Sequence, residues 1–174
     1  EAAGAASLAR GEWALVVLAG GMATRMGGVV KALLEAIEGH SFLDLRLREQ
    51  DTSARRWGRR VPLWLMTSAA TDAPIRAALG DRLDQRDVAV VRQGLSLRLT
   101  PEGRLFRDAD GRPSPYAPGH GDLPDVLRQS GLIERFLERG GRYLMITNLD
   151  NLGANLEPAY AGWFLEQQSA CVCE

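Results

Sequence analysis

The sequence predicts an α/β fold, an open and mostly parallel sheet flanked by helices, and three observations carry that expectation. Apolar runs rich in β-branched residues recur along the chain, as a strand buried on both faces requires. They alternate with segments of helical pattern, which is the order of a parallel sheet with helices on both sides. The first run passes directly into a glycine-rich loop, at the strand end where open α/β sheets bind ligands.

Residues 13–18 (WALVVL) read as the first strand and 19–28 (AGGMATRMGG) as the loop after it. Ser41 offers an N-cap, and FLDLRLREQ behind it follows an amphipathic pattern. Residues 61–66 (VPLWLM) form a second strand. Thr71 caps a helix through Leu79, with Gly80 as its stop. Residues 87–91 (DVAVV) are a third strand, and 92–122 are loop and short strand, with glycine and proline throughout. A helix broken near Gly131 spans 123–139, a fourth strand covers 142–147 (RYLMIT), and 158–168 are helical. A further strand is expected over 170–173. It stops abruptly at the last residue, Glu174, so the sheet is expected to continue in residues beyond this sequence.

The 174 residues fit one domain with a sizeable core, and 45% hydrophobic with 25% charged residues is ordinary globular composition. A net charge of −1 offers no broad basic field for nucleic acid. No apolar run is long enough to span a membrane, and no secretory signal is visible. Two cysteines, Cys171 and Cys173, suit a reducing cytoplasm. They read most simply as two small strand residues on opposite faces. No pattern in the sequence specifies an oligomeric state.

Lys31 is the only lysine among 21 basic side chains of lysine and arginine, and it falls beside the glycine-rich loop. An ammonium is a compact point charge suited to phosphate, and guanidinium does not replace it freely. Glycines at 20, 21, 27 and 28 let backbone approach a ligand, and with Arg25 and Lys31 they would make a phosphate cradle. A tight turn with solvated charges is the plain alternative. The segment matches neither the Walker loop, which needs a Gly-Lys pair, nor the dinucleotide fingerprint, which needs separated glycines.

The loop LAGGMATRMG at 18–27 resembles the L-x-G-G-x-G-T-x-M-G signature of the UDP-sugar pyrophosphorylases. The likeness continues in the same order through SFLDL at 41–45, MTS at 66–68, Gln93, PGHGD at 118–122, Ser130-Gly131 and NLDNLG at 148–153. Ala23 stands where that family has glycine, and Val30-Lys31 where it has Pro-Lys.

The resemblance implies a Rossmann-like nucleotide-diphospho-sugar transferase fold, with residues 1–174 as the nucleotide-binding part of the catalytic domain. It implies that UTP and a hexose 1-phosphate, glucose 1-phosphate for preference, are joined with release of pyrophosphate. Arg25 and Lys31 are then the catalytic cations, and Ala19, Gly20, Gly21, Gln93 and Gly119 hold the nucleotide. His120 and Asn148 meet the sugar, and Asp150 binds Mg²⁺. The family's second metal-binding aspartate and second phosphate-binding lysine fall further along than this sequence reaches. Histidine at 120 is typical of the glucose and general-sugar members, asparagine of the N-acetylglucosamine ones.

Several residues have plainer readings. Gln93 carries a donor and an acceptor that match a uracil edge, but a glutamine ending a strand is commonly a surface residue. Asp150 at a strand end suits a hard cation, or caps a helix. A lone histidine such as His120 is more often structural than catalytic. Two other functions stay open: a UDP-N-acetylhexosamine pyrophosphorylase, and a nucleotide-binding domain with little turnover.

Overall fold

A computed structural model describes residues 1–23, 27–85, 87–167 and 169–173. Four strands make the central sheet: β1 (Trp13–Leu18), β2 (Leu63–Thr67), β3 (Val88–Arg92) and β4 (Tyr143–Asn148). Every neighbouring pair is parallel, in the order β4-β1-β2-β3. Six helices accompany them among the described residues: α1 (Ala2–Arg10), α2 (Phe42–Trp57), α3 (Asp72–Leu79), α4 (Leu123–Gln129), α5 (Leu132–Glu138) and α6 (Pro158–Glu166). The α/β expectation holds.

The apolar runs are continuous because both faces of the sheet are covered. Leu15, Val17, Leu63, Leu65 and Val88 point to one side, against Leu8 of α1, Leu43 and Leu47 of α2, Ile75 and Leu79 of α3 and Ala161 of α6. Ala14, Val16, Trp64, Met66 and Val91 point to the other, against Leu123 and Leu127 of α4 and Phe136 of α5. The alternation along β1 and β2 is the two-residue period of a strand read from both sides.

Local chemistry fixes the element ends. Ser41 caps α2 through a reciprocal box: the Asp44 amide donates to Ser41 Oγ at 3.1 Å, and the Ser41 amide donates to Asp44 Oδ2 at 2.9 Å. The helix runs on to Trp57 and ends at Gly58, whose φ of 67° suits glycine. Gly131, at φ 68°, separates α4 from α5 as the sequence suggested. β2 starts at Leu63 rather than residue 61, since Pro62 has no N–H to give to a ladder. β3 and β4 also start and end one residue later than expected.

Five features differ from expectation. Helix α1 was not foreseen: its Gly4 lies so close to α6 that a Cβ there would sit 2.0 Å from the Pro158 carbonyl oxygen. Thr71 precedes α3, but its hydroxyl does not cap that helix; it donates to the Ala19 carbonyl at 3.0 Å instead. The loop after β1 contains a small antiparallel pairing of Met22–Ala23 with Val29–Val30. Residues 170–173 are not a strand, because no neighbouring strand supplies a ladder. Cys171 and Cys173 are exposed with their sulfurs 3.9 Å apart, not on opposite faces.

Residues 96–116, which follow β3 in the chain, form a ribbon of short antiparallel pairings. Ser96–Leu97 pair with Pro115–Tyr116, and bridges at Leu99–Leu105 and Arg107–Pro113 close two smaller turns beyond.

Candidate nucleotide site

In an open α/β sheet a ligand crevice forms beyond the carboxyl ends of the strands, where the strand order reverses. The order β4-β1-β2-β3 puts that point between β1 and β4. Leu18 is in register with Asn148, and the Leu149 amide donates to the Leu18 carbonyl at 3.4 Å. The glycine segment after β1 and NLDNLG after β4 therefore leave the sheet side by side.

This junction brings Lys31 to Asp150 across 119 residues of sequence. Lys31 begins a single turn of 3-10 helix, Lys31–Leu33, and its amide donates to the Gly21 carbonyl at 3.2 Å. Its Nζ donates to Asp150 Oδ2 at 3.0 Å, and both side chains stay about two-fifths exposed, at 38% and 43%. The ammonium's hydrogen bond holds the Asp150 carboxyl below its ordinary range, so the carboxylate is ionised at neutral pH. A Cβ on Gly21 would lie 4.0 Å from Lys31 Cε, so the glycine sits directly alongside the lysine stem.

A second cluster lies on the β2–β3 side of β1. Gln93 follows β3 and is buried, contrary to the surface reading of a glutamine at a strand end. Its amide packs onto Gly20, where a Cβ would come within 2.8 Å of Nε2. Its Oε1 is buried without a hydrogen-bond partner among the described residues. The amide keeps unused capacity for a donor and an acceptor, but its buried oxygen would have to turn outward to meet a ligand edge. Ala19 is buried, with its N–H given to the Met66 carbonyl at 2.8 Å and its carbonyl bonded by Thr71, so it contributes position rather than free polar groups.

The PGHGD segment is tied to the same region. Asp122 Oδ2 accepts from the Gly94 amide at 2.6 Å, which fastens residues 119–122 beside Gln93. Gly119 has φ 90°, a conformation that favours glycine, and it leads into the 3-10 turn His120–Asp122. His120 and Asn148 line one cleft of about 740 Å³ together with Leu18, Thr147 and Asn151. That cleft continues along β4 past Tyr160 and Phe164 to residues 170–173. Lys31, Asp150 and Gln93 do not line it. The predicted residues thus gather around the end of β1 in neighbouring groups rather than in one enclosed chamber. Arg25 lies outside the described residues.

Among the described residues no group of three or more His, Cys, Asp or Glu side chains could hold a metal ion. Asp150 is a lone ionised carboxylate. That suits a hard cation which takes one or two protein oxygens and completes its shell with phosphate and water.

The sequence reading passed over Arg46. On α2 it occupies the apolar stripe with Leu43, Leu47 and Gln50, and its side chain is fully buried. A charged residue at a position of helical period that should face the core was the available signal. Its guanidinium donates to the carbonyls of Asn151 at 2.6 Å, Ala154 at 3.2 Å and Asn148 at 3.4 Å, and to Asn155 Oδ1 at 3.2 Å. Glu49 Oε2, at 2.8 Å, supplies the counter-charge.

The family model for UTP–glucose-1-phosphate uridylyltransferase matches residues 4–174. A probable UTP–glucose-1-phosphate uridylyltransferase of Schizosaccharomyces pombe is 37% identical over 153 residues, covering 83% of this chain and 30% of that protein. The Saccharomyces cerevisiae UTP–glucose-1-phosphate uridylyltransferase is 31% identical, covering 92% and 33%. The chain thus spans about a third of the length of these relatives. Among solved structures, a UDP-glucose pyrophosphorylase from Leishmania major superposes with a TM-score of 0.80 at 25% identity, over 93% of this chain and 35% of that one. A UDP-N-acetylglucosamine pyrophosphorylase from Trypanosoma brucei shares the fold, at a TM-score of 0.79 and 22% identity over 95% and 37%. With the family model matching residues 4–174 of its 174, the chain belongs to the UTP–glucose-1-phosphate uridylyltransferase family.

Proposed function

We propose that this chain is the nucleotide-binding part of an enzyme that transfers a uridylyl group from UTP to glucose 1-phosphate. The observation that carries the reading is the pairing of Lys31 with Asp150 at the β1–β4 junction, an exposed cation and anion held together at the mouth of the sheet. A sugar 1-phosphate oxygen attacks the α-phosphorus of UTP in line, a P–O bond forms, and the bond to pyrophosphate breaks. Both reactants are polyanions, so the protein's work is to position them and offset charge. Lys31 swings from Asp150 to the phosphate oxygens as negative charge builds on the leaving pyrophosphate. Arg25 shares that load by resemblance.

Uracil lies against Gly20 and Gly119, and the Gln93 amide packed on Gly20 turns its unpaired oxygen outward to read the base edge. Gly21 lets the phosphates pass close to the backbone. His120 and Asn148 face the sugar from the shared cleft, and by resemblance histidine at 120 favours glucose over an N-acetylated sugar. Asp150 fits Mg²⁺ as its one protein carboxylate from this part of the chain, and the ion would supply charge neutralisation between phosphate oxygens. The reading places the enzyme in the cytoplasm, which the cysteine usage fits.

The test is pyrophosphate release by the full-length gene product with UTP, ATP or GTP against a panel of sugar 1-phosphates. UTP with glucose 1-phosphate is expected to give the highest kcat/KM. Preference for N-acetylglucosamine 1-phosphate would overturn the sugar assignment. Nucleotide binding without turnover on any sugar would leave a binding domain in place of an enzyme.

A further inference from the structure

We infer that Arg46 is a positioning residue that fixes the loop carrying Asp150 and thereby sets how the carboxylate is presented to metal and phosphate. Residues 149–157 have no regular structure, and the loop's own backbone bonds are short turns: Asn151 to the Asn148 carbonyl at 3.2 Å, Leu152 to that of Asp150 at 3.0 Å, and Ala154 to that of Asn151 at 3.1 Å. Turns of this kind leave several conformations close in energy. The Arg46 guanidinium reaches the loop from beneath and donates to its oxygens before and after Asp150, at Asn148, Asn151, Ala154 and Asn155.

A fully buried guanidinium with no other role would be a poor use of a core position, because its desolvation is recovered only through such bonds. Arg46 projects from α2, a helix anchored at its start by the Ser41–Asp44 box and packed on the sheet by Leu43 and Leu47. The loop is thus referenced to a rigid element and not to its own turns. Its acceptors are mostly backbone carbonyls, so the arrangement depends on the loop's path more than on its side chains. A planar fork is the side chain that can span acceptors so placed, and an ammonium would satisfy only some of them.

The consequence for metal and phosphate rests on the proposed nucleotidyl transfer, whereas the ordering of the loop does not. The experiment therefore has two arms on the full-length protein, comparing wild type with Arg46→Met and Arg46→Lys. Amide hydrogen exchange reads the loop. Exchange over residues 149–155 is expected to rise at least tenfold in Arg46→Met and by less in Arg46→Lys, with β1 and β2 unchanged. Steady-state kinetics read the site. The Mg²⁺ concentration for half-maximal turnover is expected to rise about tenfold in Arg46→Met, with partial rescue by lysine. If Arg46→Met does not fold, Arg46→Lys and Asn155→Ala, which removes a single acceptor, carry both arms. Unchanged loop exchange, or exchange raised equally through the sheet, overturns the inference. A loosened loop with an unaltered Mg²⁺ requirement overturns the link to Asp150. A wild-type enzyme without turnover refutes the proposed reaction, while the exchange arm still decides whether Arg46 holds the loop.

Discussion

Removing the Lys31 ammonium separates stability from catalysis, because the two should respond on different scales. Lys31 and Asp150 are 38% and 43% exposed, so their ion pair is screened by water. Exposed pairs of this kind contribute about 0.2–1 kcal/mol. For a domain of this size that corresponds to a melting shift of at most about 4 °C. A cation aimed at charge developing in a transition state is worth far more, about 10²–10³ in turnover or roughly 3–4 kcal/mol. Lys31→Met in the full-length protein should therefore lose two to three orders of magnitude in kcat with little change in melting. Lys31→Arg is expected to fall nearly as far, since a planar guanidinium on a different stem places its charge elsewhere. The assay is kcat and kcat/KM with UTP and glucose 1-phosphate, beside thermal melts of each variant. A Lys31→Arg or Lys31→Met enzyme within about threefold of wild type, a barrier change of only about 0.65 kcal/mol, would reduce Lys31 to a solvated surface charge. A melting point lowered by tens of degrees would show instead that the pair holds the fold.

Gly20→Ala places a methyl 2.8 Å from Gln93 Nε2, a side-chain end that can yield, so the expected result is a small drop in melting temperature but about tenfold weaker UTP binding, roughly 1.4 kcal/mol; an unchanged Kd by calorimetry would remove the Gly20–Gln93 contact from base recognition. Stability should fall in acid. The carboxyls of Glu12, Asp44, Asp51 and Asp150 are held below their ordinary values by hydrogen bonds from Arg10, Ser41, Arg82 and Lys31 respectively, so their contribution is complete above the unfolded carboxylate range near pH 4 and is lost as pH drops through the lower folded values. Glu49 opposes this, because burial raises its carboxyl and ionising it in the fold is unfavourable. A melting temperature that stays level from pH 5 to pH 3 would contradict the balance.

Much of this architecture was visible in the sequence for identifiable reasons. The runs WALVVL and VPLWLM contain no charged residue, which only a doubly covered strand tolerates, and Ser41 and Gly131 carry backbone preferences that survive tertiary packing. What escaped detection depends on long-range contact. Helix α1 has few large apolar side chains, and its place comes from Gly4 fitting beneath the Pro158 carbonyl. As a cap the Thr71 hydroxyl would accept from its own helix, whereas here it donates to the Ala19 carbonyl just after β1, a partner invisible without the fold. The alternation at 170–173 met the local pattern of a strand, but pairing requires a neighbour. At the site, Lys31 and Asp150 each stood out singly, whereas their contact across 119 residues follows only from β4 joining the sheet beside β1. Arg46 hid within a helix pattern whose polar residues are ordinarily solvated.

The sheet order has a kinetic consequence. β1 is made well before β4, one of its two neighbours, and α1 well before α6, the helix on which it docks. At roughly 5–20 residues per second of synthesis, the first helix waits on the order of 10–30 s for its partner. During that interval one edge of β1 stays unpaired and the apolar side of α1 uncovered, the condition in which nascent chains associate wrongly or recruit chaperones. Closing such distant contacts also carries a loop-closure cost that slows the final step. The pairing of Lys31 with Asp150 forms in that same closing event. Ligand capture at this junction therefore reports that β4 has closed onto β1, and a ligand supplied during refolding should raise the yield of native protein by drawing off the closed form.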